Sequence, residues 1–248
     1  MNHFNNCMDM RKLYMLLAMV AIFFMAPQMN AQSRKFTSKR NMEVSAGYSN
    51  LSTSSAIGAS ALASNLHGFY VSYAYDCSLL KEEWGRLALV PGLRFTYAED
   101  VEAEKNWAVL EKTALKESYL EVPIHVKYSY NFNYVALSAF VGPEFSVGLS
   151  STSYLFSDKY MFKYYNYSGT EEFKGATPTE TVVPNNVSDY SRYDVKCTFG
   201  VGSVFMDRFT LKVSYSLGLL NRYKGEPVLG NKLIRKTNVL NVGLGYRF

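Results

Sequence analysis

Residues 117–130 read ESYLEVPIHVKYSY, and the alternation in this stretch decides the fold. Leu120, Val122, Ile124, Val126 and Tyr128 fall on one face of an extended chain, and Tyr119, Glu121, His125 and Lys127 fall on the other. Successive side chains of a strand point to opposite sides, so a period of two means one apolar face and one polar face. The C-terminal stretch 238–248, NVLNVGLGYRF, repeats the pattern: Leu240, Val242, Leu244, Tyr246 and Phe248 alternate with Asn241, Gly243, Gly245 and Arg247. Working outward from these two gives eight segments, at 41–49, 68–76, 86–97, 117–130, 134–149, 194–205, 209–220 and 238–248. Each is near or above the roughly 9–11 residues that a tilted strand needs to cross a bilayer.

The connections alternate too. Those at 50–67, 98–116, 150–193 and 221–237 are long, Asn131-Phe132-Asn133 and Met206-Asp207-Arg208 are tight, and 77–85 is intermediate. In a meander every second connection emerges at the same end, so the long ones gather on one side and both termini on the other. The expected fold is therefore all-β: an eight-stranded antiparallel up-and-down transmembrane β-barrel with periplasmic turns and extracellular loops. A soluble barrel of the lipocalin type shares the period, and the polar face separates the two. Gly142, Ser146 and Gly148, Thr198, Gly200 and Gly202, and Ser214, Ser216 and Gly218 are small, as a narrow lumen requires, where a solvent-facing surface carries more charge. Pro91, Pro123 and Pro143 fall within three successive strands, and a closed barrel offers no free edge for a missing N–H, so bulges or tilt-adjusting irregularities are expected there.

Of 248 residues, 48% are hydrophobic, 15% aromatic and 19% charged, which excludes a disordered chain. A net charge of +5, spread evenly, gives no footing for nucleic-acid binding. The N-terminus is a separate object: Arg11 and Lys12 precede an apolar stretch from Leu13 to Ala26, and Met29-Asn30-Ala31 supplies a small residue before Gln32. Residues 1–31 thus read as a cleaved signal peptide, 32–40 as a periplasmic segment and 41–248 as the barrel. After cleavage only Cys77 and Cys197 remain, at opposite ends of the expected barrel, so no disulfide framework is expected.

Short motifs in four strands carry a family resemblance: Tyr119-Leu120-Glu121-Val122-Pro123-Ile124, Phe140-Val141-Gly142-Pro143-Glu144, Phe199-Gly200-Val201-Gly202 and Tyr215-Ser216-Leu217-Gly218-Leu219. With them the chain resembles the PorT-like outer-membrane β-barrel proteins of Gram-negative bacteria, and the transmembrane domain of outer-membrane protein A. The resemblance covers most of 41–248 and implies fold more than activity; members are mostly of unassigned function, and one branch is implicated in protein secretion. Leu244, Tyr246 and the terminal Phe248 resemble the signal read by the barrel-assembly machinery, which makes that machinery an expected partner during biogenesis.

Parity places Glu43, Arg94, Glu121, His125, Lys127, Glu144, Lys196, Lys212 and Arg247 in the lumen. Two readings follow from mixed charge at membrane depth: a selectivity path of a small-solute channel, or a paired plug. Eight strands leave an interior just wide enough for side chains to fill, which favours the plug. Glu121 and Glu144 are placed to share Arg94, Lys127 or Lys196. A lipid A-modifying enzyme is the third reading, and it needs a nucleophile with a His base oriented by a carboxylate. Only His67 and His125 are available after cleavage; His125 belongs to the lumen, and His67 has no carboxylate close in sequence. No metal-ligand spacing or cofactor fingerprint is present, and no cofactor is expected. The connection 150–193 is rich in aromatic residues, with Tyr160, Tyr164, Tyr165 and Tyr167 as candidate surface contacts. Those rings equally suit packing on one another and on the barrel rim, or strands continued above the membrane. The expectation is a non-enzymatic barrel of the cell outer membrane, in contact with lipid and lipopolysaccharide. Its loops offer a site for a protein partner, and its role is structural, in assembly or secretion, or in surface binding.

Overall fold

A computed structural model describes residues 40–57, 60–82, 85–106, 109–132, 135–156, 161–174, 181–184, 190–224 and 234–248. The expected signal segment, and all of 32–40 except Arg40, lie outside the described residues. The strands are β1 (Met42–Ile57), β2 (Ser60–Tyr75), β3 (Cys77–Lys81), β4 (Gly85–Asn106), β5 (Val109–Phe132), β6 (Val135–Phe156), β7 (Met161–Tyr165), β8 (Thr170–Lys174), β9 (Thr181–Pro184), β10 (Tyr193–Phe205), β11 (Phe209–Gly218) and β12 (Ile234–Arg247).

Eight of these close a barrel. Neighbours run β1, β2, β4, β5, β6, β10, β11, β12, and β12 pairs back onto β1, every ladder antiparallel. β3 continues β2 against β4 in unchanged register, from Ala74↔Gly92 to Cys77↔Leu89, so β2 and β3 are one wall strand interrupted at Asp76. Closure comes with a fixed stagger. From Ser45 one route passes through Ser72, Arg94 and Glu121 to Ser146 of β6, and the other passes through Gly245, Thr210 and Val204 to Ala136 of β6. The two routes arrive ten residues apart, which is the shear of the barrel. Eight strands with that stagger tilt by about 40° from the barrel axis, given a rise of ~3.3 Å per residue and strands ~4.8 Å apart.

The two faces separate as the alternation requires. Leu120, Val122, Val126, Tyr128 and Tyr130 of β5 are exposed on the outside, whereas Tyr119, Glu121 and Lys127 are buried within. On β12 the outward set is Leu240, Val242, Leu244 and Tyr246, and the inward set Val239, Asn241 and Arg247. The outward apolar run on β5, Leu120 to Tyr130, spans about 25 Å along the barrel axis at this tilt, the height of a membrane-barrel belt.

The strands outrun the expected segments at the long-connection end. β1 and β2 remain paired up to Ile57↔Ser60, and β4 and β5 up to Asn106↔Val109, so most of 50–67 and 98–116 is hairpin rather than loop. Once a ladder is zipped in the membrane it can continue into water without an apolar face, and there the hydrophobic alternation that marks a strand is lost. The prolines are accommodated without bulges. Pairing stops at Pro91↔Ile124 and resumes at Arg94↔Glu121 in the same register, and it likewise pauses between Pro123↔Glu144 and Val126↔Val141. Register shifts occur instead at Ser118/Tyr119 and Ser78/Leu80. The three-residue turn between Phe205 and Phe209 places Met206 and Asp207 at φ 51° and 62°, in the left-handed region, with the Arg208 N–H donating to the Phe205 carbonyl at 3.0 Å.

Candidate functional site

The lumen contains three groups of paired charges, stacked from the periplasmic end to the outer end. Strand parity supplies the inward positions, and the small residues opposite them leave room for long side chains.

At the periplasmic end Asp76 turns inward from the interruption between β2 and β3. Lys127 donates to both of its carboxylate oxygens, at 2.7 and 2.6 Å, and Arg247 Nη2 approaches Oδ2 at 2.6 Å. Arg86 donates to the Asp76 carbonyl at 3.2 Å, and Lys212 pairs with Glu43. In the middle, Arg94 pairs with Glu121 through Nε at 2.6 Å and with Glu144 through Nη2, while Lys196 donates to Glu121 at 2.5 Å and lies 3.7 Å from Glu144. Thr96 and Thr198 donate to the same two carboxylates. Glu121, Glu144 and Lys196 are wholly buried. Two cations thus face two anions, so the buried charge is paired within the cluster, while Arg94 Nη2 and Glu144 Oε1 make ion-pair contacts without a well-formed hydrogen bond.

At the outer end Arg222, carried by the segment after β11, reaches into the barrel. Its guanidinium donates to the hydroxyls of Tyr119 and Tyr167, both at 2.6 Å, and to Thr237 at 3.0 Å. Tyr119 donates to Glu117, which also accepts from Ser151 at 2.9 Å and faces Arg235 at 3.6 Å. A built Cβ at Gly148 would collide with the Tyr167 ring, so glycine there makes the space in which the ring sits. Between the middle and periplasmic groups is a cavity of about 60 Å³, lined by Arg94, His125, Lys212 and Ser45 among others, with room for a few waters.

The positions expected in the lumen therefore fall into separate sets. Arg94, Glu121, Glu144 and Lys196 meet; Lys127 and Arg247 meet on Asp76; Lys212 meets Glu43; His125 stacks on Phe140 with ring centroids 5.1 Å apart. Lys127 does not join the two glutamates, because Asp76 lies nearer its end of the barrel. Asp76 and Glu117 escaped the sequence reading although each shares parity with its inward neighbours. Arg222 carries no parity, since it sits outside any strand, and nothing local marks it.

Among the surface candidates, Tyr160 lies outside the described residues. Tyr164 and Tyr165 are half-buried on β7, which adds to the upper edge of β6 through Thr152↔Tyr165 where β10 has left it. Tyr165 donates to Glu172 at 2.9 Å, and Lys163 lies 4.4 Å from the Tyr165 ring centre. The hydrogen bond of Lys163 with Tyr165 raises the lysine's pKa above its ordinary value. Tyr167 corrects the expectation: it is 8% exposed and faces the lumen, because its ring fills the space above Gly148 and its hydroxyl is held by Arg222. Leu244, Tyr246 and Phe248 are exposed on the outer face, with Tyr246 packed edge-on to Phe209 at 5.7 Å. His67 is exposed on the outer face, and its Nδ1 lies against the Tyr48 hydroxyl and 3.0 Å from the Asn50 amide. Cys77 and Cys197 are free thiols.

A closed eight-stranded barrel with an apolar outer belt and its charges paired inside is an outer-membrane β-barrel. The comparison of sequences agrees: residues 30–223 match the family model of the outer membrane protein beta-barrel domain, and the chain belongs to that family and to the cell outer membrane. No curated protein matches it as a relative. Among solved structures it is similar to Ail, the attachment invasion locus protein of Yersinia pestis, crystallised with the heparin analogue sucrose octasulfate, at 16% identity and TM-score 0.38 over 84% of this chain and 99% of that one. It is also similar to Neisserial surface protein A, at 12% identity and TM-score 0.40 over 84% and 97%. The outer membrane enzyme PagL is similar at 13% identity and TM-score 0.39 over 81% and 98%.

Proposed function

We propose that this barrel is a sealed, non-enzymatic outer-membrane protein that presents its extracellular strands to a protein partner, in the manner of a PorT-like assembly or secretion accessory. The observation that carries the reading is the contrast between the two ends of its architecture. The lumen is closed by charge pairs at three levels, so solute passage is a poor use for it, whereas the β4–β5 hairpin and β7–β9 continue the wall beyond the apolar belt. Of the described histidines, His67 lies outward against Tyr48 and Asn50 and His125 stacks on Phe140, and neither hydrogen-bonds a carboxylate that would orient it as a base, which supports a role without acyl-transfer chemistry. Leu244, Tyr246 and Phe248 face lipid at the terminal strand, where they suit recognition by the assembly machinery during insertion.

The test is photo-cross-linking in whole cells, with a photoreactive residue in place of Tyr164 and, as control, of Met206 at the periplasmic turn. A discrete protein adduct from position 164 that is missing from position 206 is expected. Adducts from 206 alone would move partner binding to the periplasmic side and overturn the proposed surface role.

A further inference from the structure

Above the lipid belt the outer face of β1, β2, β4 and β5 carries a row of polar side chains joined strand to strand: Asn50↔His67, His67↔Glu99 and Glu99↔Lys116. Immediately beneath it runs Tyr48↔Phe69↔Tyr97, the last outward aromatic row of the belt, with Phe69 and Tyr97 rings 5.8 Å apart. The row is interlinked. Asn50 reaches His67 at 3.0 Å, Tyr97 donates to Glu99 at 2.9 Å, and Lys116 pairs with Glu99 at 3.1 Å. Beyond Lys116 the ledge continues with Tyr154 and Lys163, both lysines lying 5.8 Å from the Tyr154 ring centre.

The chemistry and the height of the ledge together name its occupant. At a strand tilt near 40° a row perpendicular to the strands climbs about 3 Å per strand, so the path from Asn50 to Lys116 rises about 9 Å from the top of the acyl region. That interval holds the sugar headgroup of an outer-leaflet glycolipid. Asn50, His67 and Glu99 offer donors and acceptors matched to hydroxyl and amide groups. Lys116 has one carboxylate partner at a solvent-exposed pair, which holds weakly and leaves ammonium donors for phosphate, and the half-buried Lys163–Glu172 pair lies beside it. Equal numbers of lysines and glutamates suit a phosphorylated sugar better than a bare polyanion. On β10 and just after β11 the corresponding region shows exposed Tyr193, Leu219 and Leu220, so among the described residues the interlinked row lies on the β1–β5 side of the barrel.

We propose that this ledge binds the phosphorylated amino-sugar headgroup of lipopolysaccharide and fixes one glycolipid against β1–β5. The proposal goes beyond the partner-binding reading and stands without it, since it depends only on the outer face at the membrane boundary. The experiment uses the full chain reconstituted in phosphatidylcholine vesicles that contain rough lipopolysaccharide as a minor component. A photoreactive residue replaces Ser118, which lies outward between Tyr97 and Lys116, or Tyr193 on the far side. Cross-linking at 118 is expected to be enriched in lipopolysaccharide beyond its share of the bilayer, while 193 reports the bulk ratio. Native mass spectrometry then compares glycolipid retained by the wild type with that retained by Asn50→Ala/His67→Ala/Lys116→Ala, for which a loss is expected. Equal ratios at 118 and 193, or undiminished retention by the triple variant, would overturn the proposal. Should the triple variant fail to fold, the cross-linking ratio decides alone.

Discussion

Lys196 is wholly buried with its ammonium against Glu121 and Glu144, and replacing it leaves two carboxylates facing the single guanidinium of Arg94. Breaking a buried pair costs about 3–5 kcal/mol because the surviving charge keeps its desolvation penalty. Lys196→Met should lower barrel stability by that order, read from urea unfolding followed by heat-modifiable migration, and Lys196→Met/Glu121→Leu should recover part of the loss. A double variant no more stable than the single would show that the four groups do not act as pairs. Gly148 gives a second residue-scale test. Gly148→Leu takes the space of the Tyr167 ring, so the phenol must leave Arg222, and trypsin should then cleave after Arg222 in intact cells faster than in the wild type. Unchanged cleavage would mean that the outer closure does not depend on Tyr167. Legibility at this scale followed parity. Positions inside a strand, such as Glu121 and Lys196, could be placed from their neighbours, but their partners could not, since the choice between Lys127 and Lys196 depends on register. Arg222 and Tyr167 act from outside the wall strands, where no period exists to read.

Two elements carry the account of the lipid face. Val122 and Val213 are exposed on β5 and β11, and Arg at either site near the midplane should cost about 2–4 kcal/mol, whereas Ser216→Arg acts by overfilling the lumen. Cysteine labelling with a lipid-soluble probe should mark 122 and 213 and spare 216; the reverse pattern would turn the barrel inside out. The terminal strand makes the other test. Deleting Phe248 or replacing it with Asp should reduce the amount of folded barrel in the outer membrane if its exposed ring is part of the assembly signal, and wild-type levels would count against that role. Wall strands were legible wherever one face had to be apolar, as on β5 and β12. Where the same strands leave the belt, as β4 does at Glu99, the ladder holds them without any alternation to betray them. At the prolines the irregularity takes the form of a pause in pairing that keeps the register of β4 on β5, so no extra residue is needed.

In the barrel the wall is closed by stagger and paired charges cross the lumen at three levels. Eight strands with a shear of ten leave a narrow interior that long inward side chains occupy, and among the described residues a cavity of about 60 Å³ between the middle and periplasmic groups is the size of a few waters. Fold class and membrane placement were open to the sequence because solvent on each face sorts residues by type; the pairing of the lumen charges was not, because it depends on which of many charges meet. Planar-bilayer recording of the purified, refolded chain tests closure of the lumen most directly. No stable conductance is predicted for the wild type, nor when Arg94, Glu121, Glu144 and Lys196 alone are replaced by Ala, because the Asp76 and Arg222 groups still span the lumen on either side. Steady ohmic current through the unmodified barrel would contradict the account and make the lumen a channel.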